Sequence, residues 1–165
     1  MTLNNKTAID EFVDIARRYC AWAEAAAGNP QQEMYQAREF LAELHLAVVR
    51  LPDADFEDSE RKDAVTYDEW KKVLERFSGL PVDGYWDVFD PLKEEEKESL
   101  WNSLADDLAD IYRDLKTYLQ LYDAGYTEEA VWQWRFNFLI HWGQHLTGAQ
   151  RAIHSYIDKY ENDQC

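Results

Sequence analysis

Residues 100–122, LWNSLADDLADIYRDLKTYLQLY, decide the fold. Plotted at about 100° per residue, they place Leu100, Trp101, Leu104, Leu108, Ile111, Tyr112, Leu115, Tyr118, Leu119 and Tyr122 on one broad apolar arc. A helix with so wide an arc has to bury it against other helices. Asp107, Asp110 and Asp114, at i, i+3 and i+7, line one edge of the arc, while Asp106 and Arg113 turn further toward solvent. The pattern predicts a helix over about 95–122, stopped at Asp123-Ala124-Gly125.

Working outward, Thr127 followed by Glu128 and Glu129 opens a last helix that runs to about Tyr160. At ~1.5 Å per residue it is about 50 Å long. Its arc holds Val131, Trp132, Phe138, Leu139, Trp142, Leu146, Ala149 and Ile153, with Arg135 near the middle. His141 and His145, at i and i+4, lie along one edge with Trp134. Gly143 and Gly148 are where a bend or a close helix contact is expected.

Upstream, a capped start near Thr7 leads into Ile9, Phe12, Val13, Ala16, Tyr19, Cys20 and Ala23 at helical spacing, ending near Gly28-Asn29-Pro30. A second helix covers about 31–50 and is closed by Leu51-Pro52. An acidic linker follows. It has Asp53, Asp55 and Glu57 at alternate positions, but Asp58 stands where a calcium loop needs Gly and Ala64 where it needs Glu, so it is no calcium loop. Thr66 and Glu69 form a capping box for a short third helix to about Phe77. Residues 80–92 read as an irregular connection whose Tyr85, Trp86 and Phe89 pack back on the bundle. The expectation is an all-α, up-and-down bundle of four to five helices, a single domain over residues 1–165, with the last two helices as its central pair.

Composition agrees and narrows function. Six Gly and four Pro are about half the average share, and seven Trp add bulk that needs burying. With 33 Asp and Glu against 17 Lys and Arg the net charge is −16, which repels nucleic-acid phosphate and anionic membrane surfaces. No apolar run is long enough to span a bilayer, and the polar first residues do not resemble a secretory signal. Two cysteines, Cys20 and Cys165, make no disulfide framework. The plain reading is a cytoplasmic protein, and the charge suits either solubility or a basic protein partner.

The polar groups that meet the core lie on the last two helices. A guanidinium cannot escape burial by losing its proton, so Arg135 in the arc calls for a carboxylate. Asp107, Asp110 or Asp114 is the expected partner, with the histidines close by. Three readings stay open. The spacing His141-x-x-x-His145 puts two imidazoles at metal-ligand spacing, and His45 on the second helix offers a third. That layout is similar to the DinB-type metal-binding bundles. Asp106-Asp107-x-x-Asp110 matches the DDxxD of prenyl-diphosphate enzymes, and Glu94-Glu95-x-x-Glu98 the EExxE of helical nucleotide pyrophosphatases, but neither has its second motif. The remaining reading is a satisfied Asp–Arg–His network that fixes helix register.

Taken together, residues 106–116, 122–125, 130–136, 141–145 and 151–154 resemble an uncharacterised bacterial family, domain of unknown function 5063. The resemblance is strongest over residues 99–155, and Leu51-Pro52 and residues 88–91 extend it over nearly the whole chain. It implies a small bacterial protein and no established activity. Its motif residues fall on Asp106, Asp107, Asp110, Tyr112, Arg113, Asp114, Trp132, Trp134, Arg135, His141 and His145. His45 is outside the pattern, which favours the Asp–Arg–His network over a three-histidine site.

The leading expectation is therefore a non-catalytic interaction or adaptor protein without cofactor, taking a basic protein partner and neither nucleic acid nor membrane. The alternative is a divalent-metal-binding protein or metal-dependent enzyme built on Asp107, Asp110, Asp114, Arg135, His141 and His145, with His141 and His145 as ligands.

Overall fold

The computed structural model describes residues 3–56, 64–88, 90–93 and 98–162. Its helices are α1 (Leu3–Glu24), α2 (Pro30–Val49), α3 (Tyr67–Phe77), α4 (Leu104–Asp123), α5 (Thr127–Asn137) and α6 (Gly143–Asn162). Two strands, β1 (Gly84–Val88) and β2 (Ser99–Ser103), interrupt the series before α4. Between α5 and α6 the chain stays helical through a π-helical turn, Phe138–Trp142. Counting that run as one bent rod, five helical rods make an all-α bundle, as the periodicities predict.

The caps explain the boundaries. Asn29 accepts from the backbone N–H groups of Gln31 and Gln32 and is followed by Pro30, whose fixed φ suits a first helical position. Thr66 and Glu69 close a reciprocal capping box on α3. Gly125, the glycine with positive φ (95°), ends α4. Helix α4 is the hub, packing against α1, α3, α5 and α6. Around it lie the fully buried Phe12, Tyr19, Trp134 and Trp142. Their polar tips are satisfied on backbone carbonyls: Tyr19 donates to Leu108 O at 2.8 Å, Trp134 Nε1 to Leu115 O and Trp142 Nε1 to Trp134 O.

Three expectations change. The fourth helix begins at Leu104, not near 95, because Ser103 caps it by accepting from Asp106 N–H. Residues 99–103 instead pair antiparallel with 84–88, Trp86 opposite Trp101, in what reads as a loop and a helix start. Leu100, Trp101 and Trp86 are consequently exposed rather than part of the core, the two indoles meeting edge to face at 5.3 Å. Phe89 and Glu94, Glu95, Glu96 and Lys97 lie outside the described residues. Finally, Leu139 is 76 % exposed although the wheel puts it in the arc. The π turn adds a residue to one turn and shifts the phase of everything after it. Gly143 makes that turn possible, since a Cβ there would stand 2.2 Å from Phe138 O.

Candidate functional site

The aspartate edge of α4 faces the two histidines, and the pairing is regular. His145 Nδ1 lies 2.8 Å from Asp107 Oδ1, and His141 Nδ1 lies 2.7 Å from Asp114 Oδ2. The rings meet edge to face with centroids 4.9 Å apart, His141 from the π turn and His145 from the first turn of α6. A carboxylate only accepts, so each Nδ1 carries the hydrogen, and in the neutral form of either imidazole the lone pair lies on Nε2. Both Nε2 atoms turn toward the same atom, Asp110 Oδ2, at 3.7 Å from His141 and 3.5 Å from His145.

Asp110 is prepared for this. Its other oxygen, Oδ1, takes the Trp70 Nε1–H at 2.8 Å and stands 3.0 Å from the Arg113 guanidinium. Among the described residues nothing donates to Oδ2. The donor atoms that Asp110, His141 and His145 offer lie within 4.8 Å of one another. With both imidazoles neutral, three acceptors face each other without a donor, an arrangement relieved by a proton on Nε2 or by a cation among them.

The surroundings set the electrostatics. Burial raises the Asp107 carboxyl above the usual carboxylate value, opposed by the hydrogen bonds from His145 and Tyr85. Burial raises Asp114 likewise, against the His141 hydrogen bond. For His145 burial works against the charged form, but the hydrogen bond and charge of Asp107, with Asp110 and Asp106 behind it, outweigh that and raise its pKa. Tyr85 reaches in from β1 and donates to Asp107 Oδ2 at 2.8 Å. Burial, then the Asp107 charge, hold its phenol far above the ordinary range, so the proton stays on Oη.

Of the expected cluster, Asp107, Asp110, Asp114, His141 and His145 come together and Arg135 does not. Arg135 pairs instead with Asp53, in the segment after α2, and is one-third exposed. The guanidinium beside the aspartates belongs to Arg113, expected to face solvent. His45 is also elsewhere, with Nδ1 3.3 Å from Gln150 Oε1 and its ring against Phe138. Sequence reasoning misses Trp70 and Tyr85 as partners. The only signal was that each is a large side chain with one polar tip, which needs a partner once buried.

A cavity of about 790 Å³ opens beside the cluster. Tyr85, Asp106, Asp107 and His145 form part of its wall, and the β1–β2 hairpin covers it with Val88, Leu100 and Trp101. Asp106, half buried, is raised by burial and by the Asp110 charge.

Fold and cluster together define a helical bundle that carries two histidine–carboxylate dyads around a third carboxylate. The chain belongs to the family described as domain of unknown function 5063, whose model matches residues 4–158. No curated protein matches it. Its fold is similar to that in the crystal structure of protein BF1032 from Bacteroides fragilis, with a TM-score of 0.76 and 23 % identity, over 90 % of this chain and 94 % of that one.

Proposed function

We propose that the protein binds a divalent transition-metal ion through Asp110 Oδ2, His141 Nε2 and His145 Nε2. The observation that carries this reading is the convergence of three acceptors, two of them imidazoles whose opposite nitrogens are each held by a separate carboxylate. Carboxylate–histidine–metal relays of this kind fix the tautomer and raise ligand basicity. An ion with bonds of about 2.0–2.2 Å at tetrahedral angles separates its ligand atoms by about 3.3–3.6 Å. The distances of 3.5 and 3.7 Å to Asp110 are close to that spacing. Two imidazoles and one carboxylate suit zinc with an open position, or iron(II). Of the three ligands His145 also lines the cavity, which connects the centre to space for a bound water or a substrate.

The test is elemental analysis of untagged protein purified without chelator, with thermal melts before and after EDTA. The reading expects near-stoichiometric metal, a lower melting temperature on stripping, and loss of both in His141→Ala and His145→Ala. Absence of metal together with an unchanged melt overturns it. The cluster would then be a core network, in which His141→Ala lowers stability by about 1–3 kcal/mol whether or not metal is supplied.

A second reading, an interaction or adaptor protein for a basic partner, is favoured by the −16 charge and by Trp86, 63 % exposed on the hairpin. It expects a complex that weakens steeply as salt rises, and a partner surface that protects Trp86.

A further inference from the structure

The cavity beside the cluster is walled by carboxylates and apolar side chains. Asp87 and Asp106 both line it, and Trp101, Leu100 and Val88 supply an apolar wall. The Asp106 carboxylate receives no hydrogen bond and makes no ion pair among the described residues. Besides His145, Arg151 is the basic side chain in the described lining, and it stands at the rim, 72 % exposed and 3.7 Å from Asp87. Adding the proposed dication does not reverse the sign: Asp106, Asp107, Asp110 and Asp114 outweigh its two charges and that of Arg113 by one, while Asp87 and Arg151 offset each other. A negative field in a partly enclosed space rejects carboxylates and phosphates and concentrates cations. An indole beside carboxylates suits an organic cation, through cation–π attraction and apolar contact. The volume is that of a small-molecule pocket, in the range of about 300–1,000 Å³.

We infer that this cavity is the substrate site of the proposed metal centre, and that it takes a small organic monocation, an amine or guanidinium on an apolar body, with the charged end at Asp106 and Asp87 and the apolar body along Trp101 and Leu100. The inference rests on the metal reading for the word substrate, and on the cavity alone for the choice of ligand.

The experiment is a titration of 15N-labelled protein, with and without zinc, using benzylamine, which is an ammonium at neutral pH, and benzoate as the matched anion. Metal content is measured on the same samples. Benzylamine is expected to shift the Trp101 indole N–H and the Asp106 and Thr147 amides saturably, and benzoate to leave them unmoved. Asp106→Asn should weaken benzylamine at least tenfold, and Trp101→Ala, an exposed position whose loss spares the core, should weaken it as well. Preference for benzoate, or no saturable shift with either compound while zinc is bound, overturns the inference. Amine binding without any uptake of zinc overturns the metal centre and the substrate role, and sustains the selectivity of the cavity.

Discussion

Gly148 and Tyr85 approach so closely that a Cβ on the glycine would stand 2.1 Å from the tyrosine Oη. This contact seats the hairpin on α6 and aims the phenol at Asp107, which in turn holds His145. The absence of a side chain at 148 is thus part of what positions a proposed ligand three groups away. Tyr85→Phe keeps the ring and removes only the donor, so it is expected to lower metal affinity by about 10–100-fold, the usual effect of losing an outer partner of a ligand. Gly148→Ala should do the same and also lower the melting temperature, because the phenol has to leave its seat. Competition with a chromophoric chelator reads both. Unchanged affinity in Tyr85→Phe would remove the tyrosine from the relay.

Metal binding and stability should respond to pH in opposite directions. The ligand form of His145 is unprotonated at Nε2, and its raised pKa means that protons begin to compete above the ordinary value of about 6.5. Affinity therefore falls as pH falls through that raised pKa. In metal-free protein, a pKa higher in the folded than in the unfolded state makes proton uptake favour folding. The contribution of His145 is fully present below about 6.5 and is lost as pH rises through the folded pKa. Asp107 and Asp114, also raised, act with the same sign at lower pH. Urea unfolding in EDTA at pH 6 and pH 9 is expected to give the higher stability at pH 6, with the order narrowed or reversed when zinc is present. Greater stability at pH 9 in EDTA would contradict the assignment.

How much of this was legible in the sequence differs by element. The helices were readable because their caps are local: Asn29 before Pro30, Thr66 with Glu69, and Gly125 each satisfy backbone groups within a few residues. The acidic edge of α4 and the histidine edge opposite it were readable for the same reason, since spacing alone brings them to one face each. The hairpin was not, because its strands are joined by ten residues rather than by a short hairpin loop, the Asp90-Pro91 turn among them not being a hairpin turn, and its indoles pair with each other rather than with the core. Arg135 was misplaced because a wheel at constant angle runs straight through the π turn and averages two phases. Trp70 and Tyr85 reach the cluster from α3 and β1, and no local spacing links them to residues 107–114.

The corrected partner of Arg135 leads to a contrast between two variants. Its ion pair with Asp53 is largely solvent-exposed and does not touch the histidines. Arg135→Ala should leave both metal affinity and the melting temperature unchanged. Trp70→Phe removes the Nε1–H that occupies Asp110 Oδ1, freeing the carboxylate to rotate, and should weaken metal by about tenfold. Isothermal titration of the two proteins with zinc distinguishes them, and equal losses would return Arg135 to the site.

The same bundle holds a buried ion pair with no part in the cluster. Glu33 accepts from Trp22 Nε1 at 2.7 Å, Gly28 N–H at 2.9 Å and Arg76 Nη2 at 2.6 Å, with both charged side chains about nine-tenths buried. The Arg76 guanidinium also lies against Trp22 and Phe77, so the pair ties α3 to the α1–α2 corner. Removing one partner leaves a buried charge without compensation, which typically costs about 3–5 kcal/mol. Glu33→Leu is expected to destabilise by that amount, since it strands Arg76 and two N–H donors at once. Adding Arg76→Met should recover most of the loss, because an apolar pair of similar volume is often as stable as the ions. Urea unfolding of the two single variants and the double variant measures the coupling. A double variant as unstable as Glu33→Leu alone would mean that the Trp22 and Gly28 donors, not the charge of Arg76, make Glu33 indispensable.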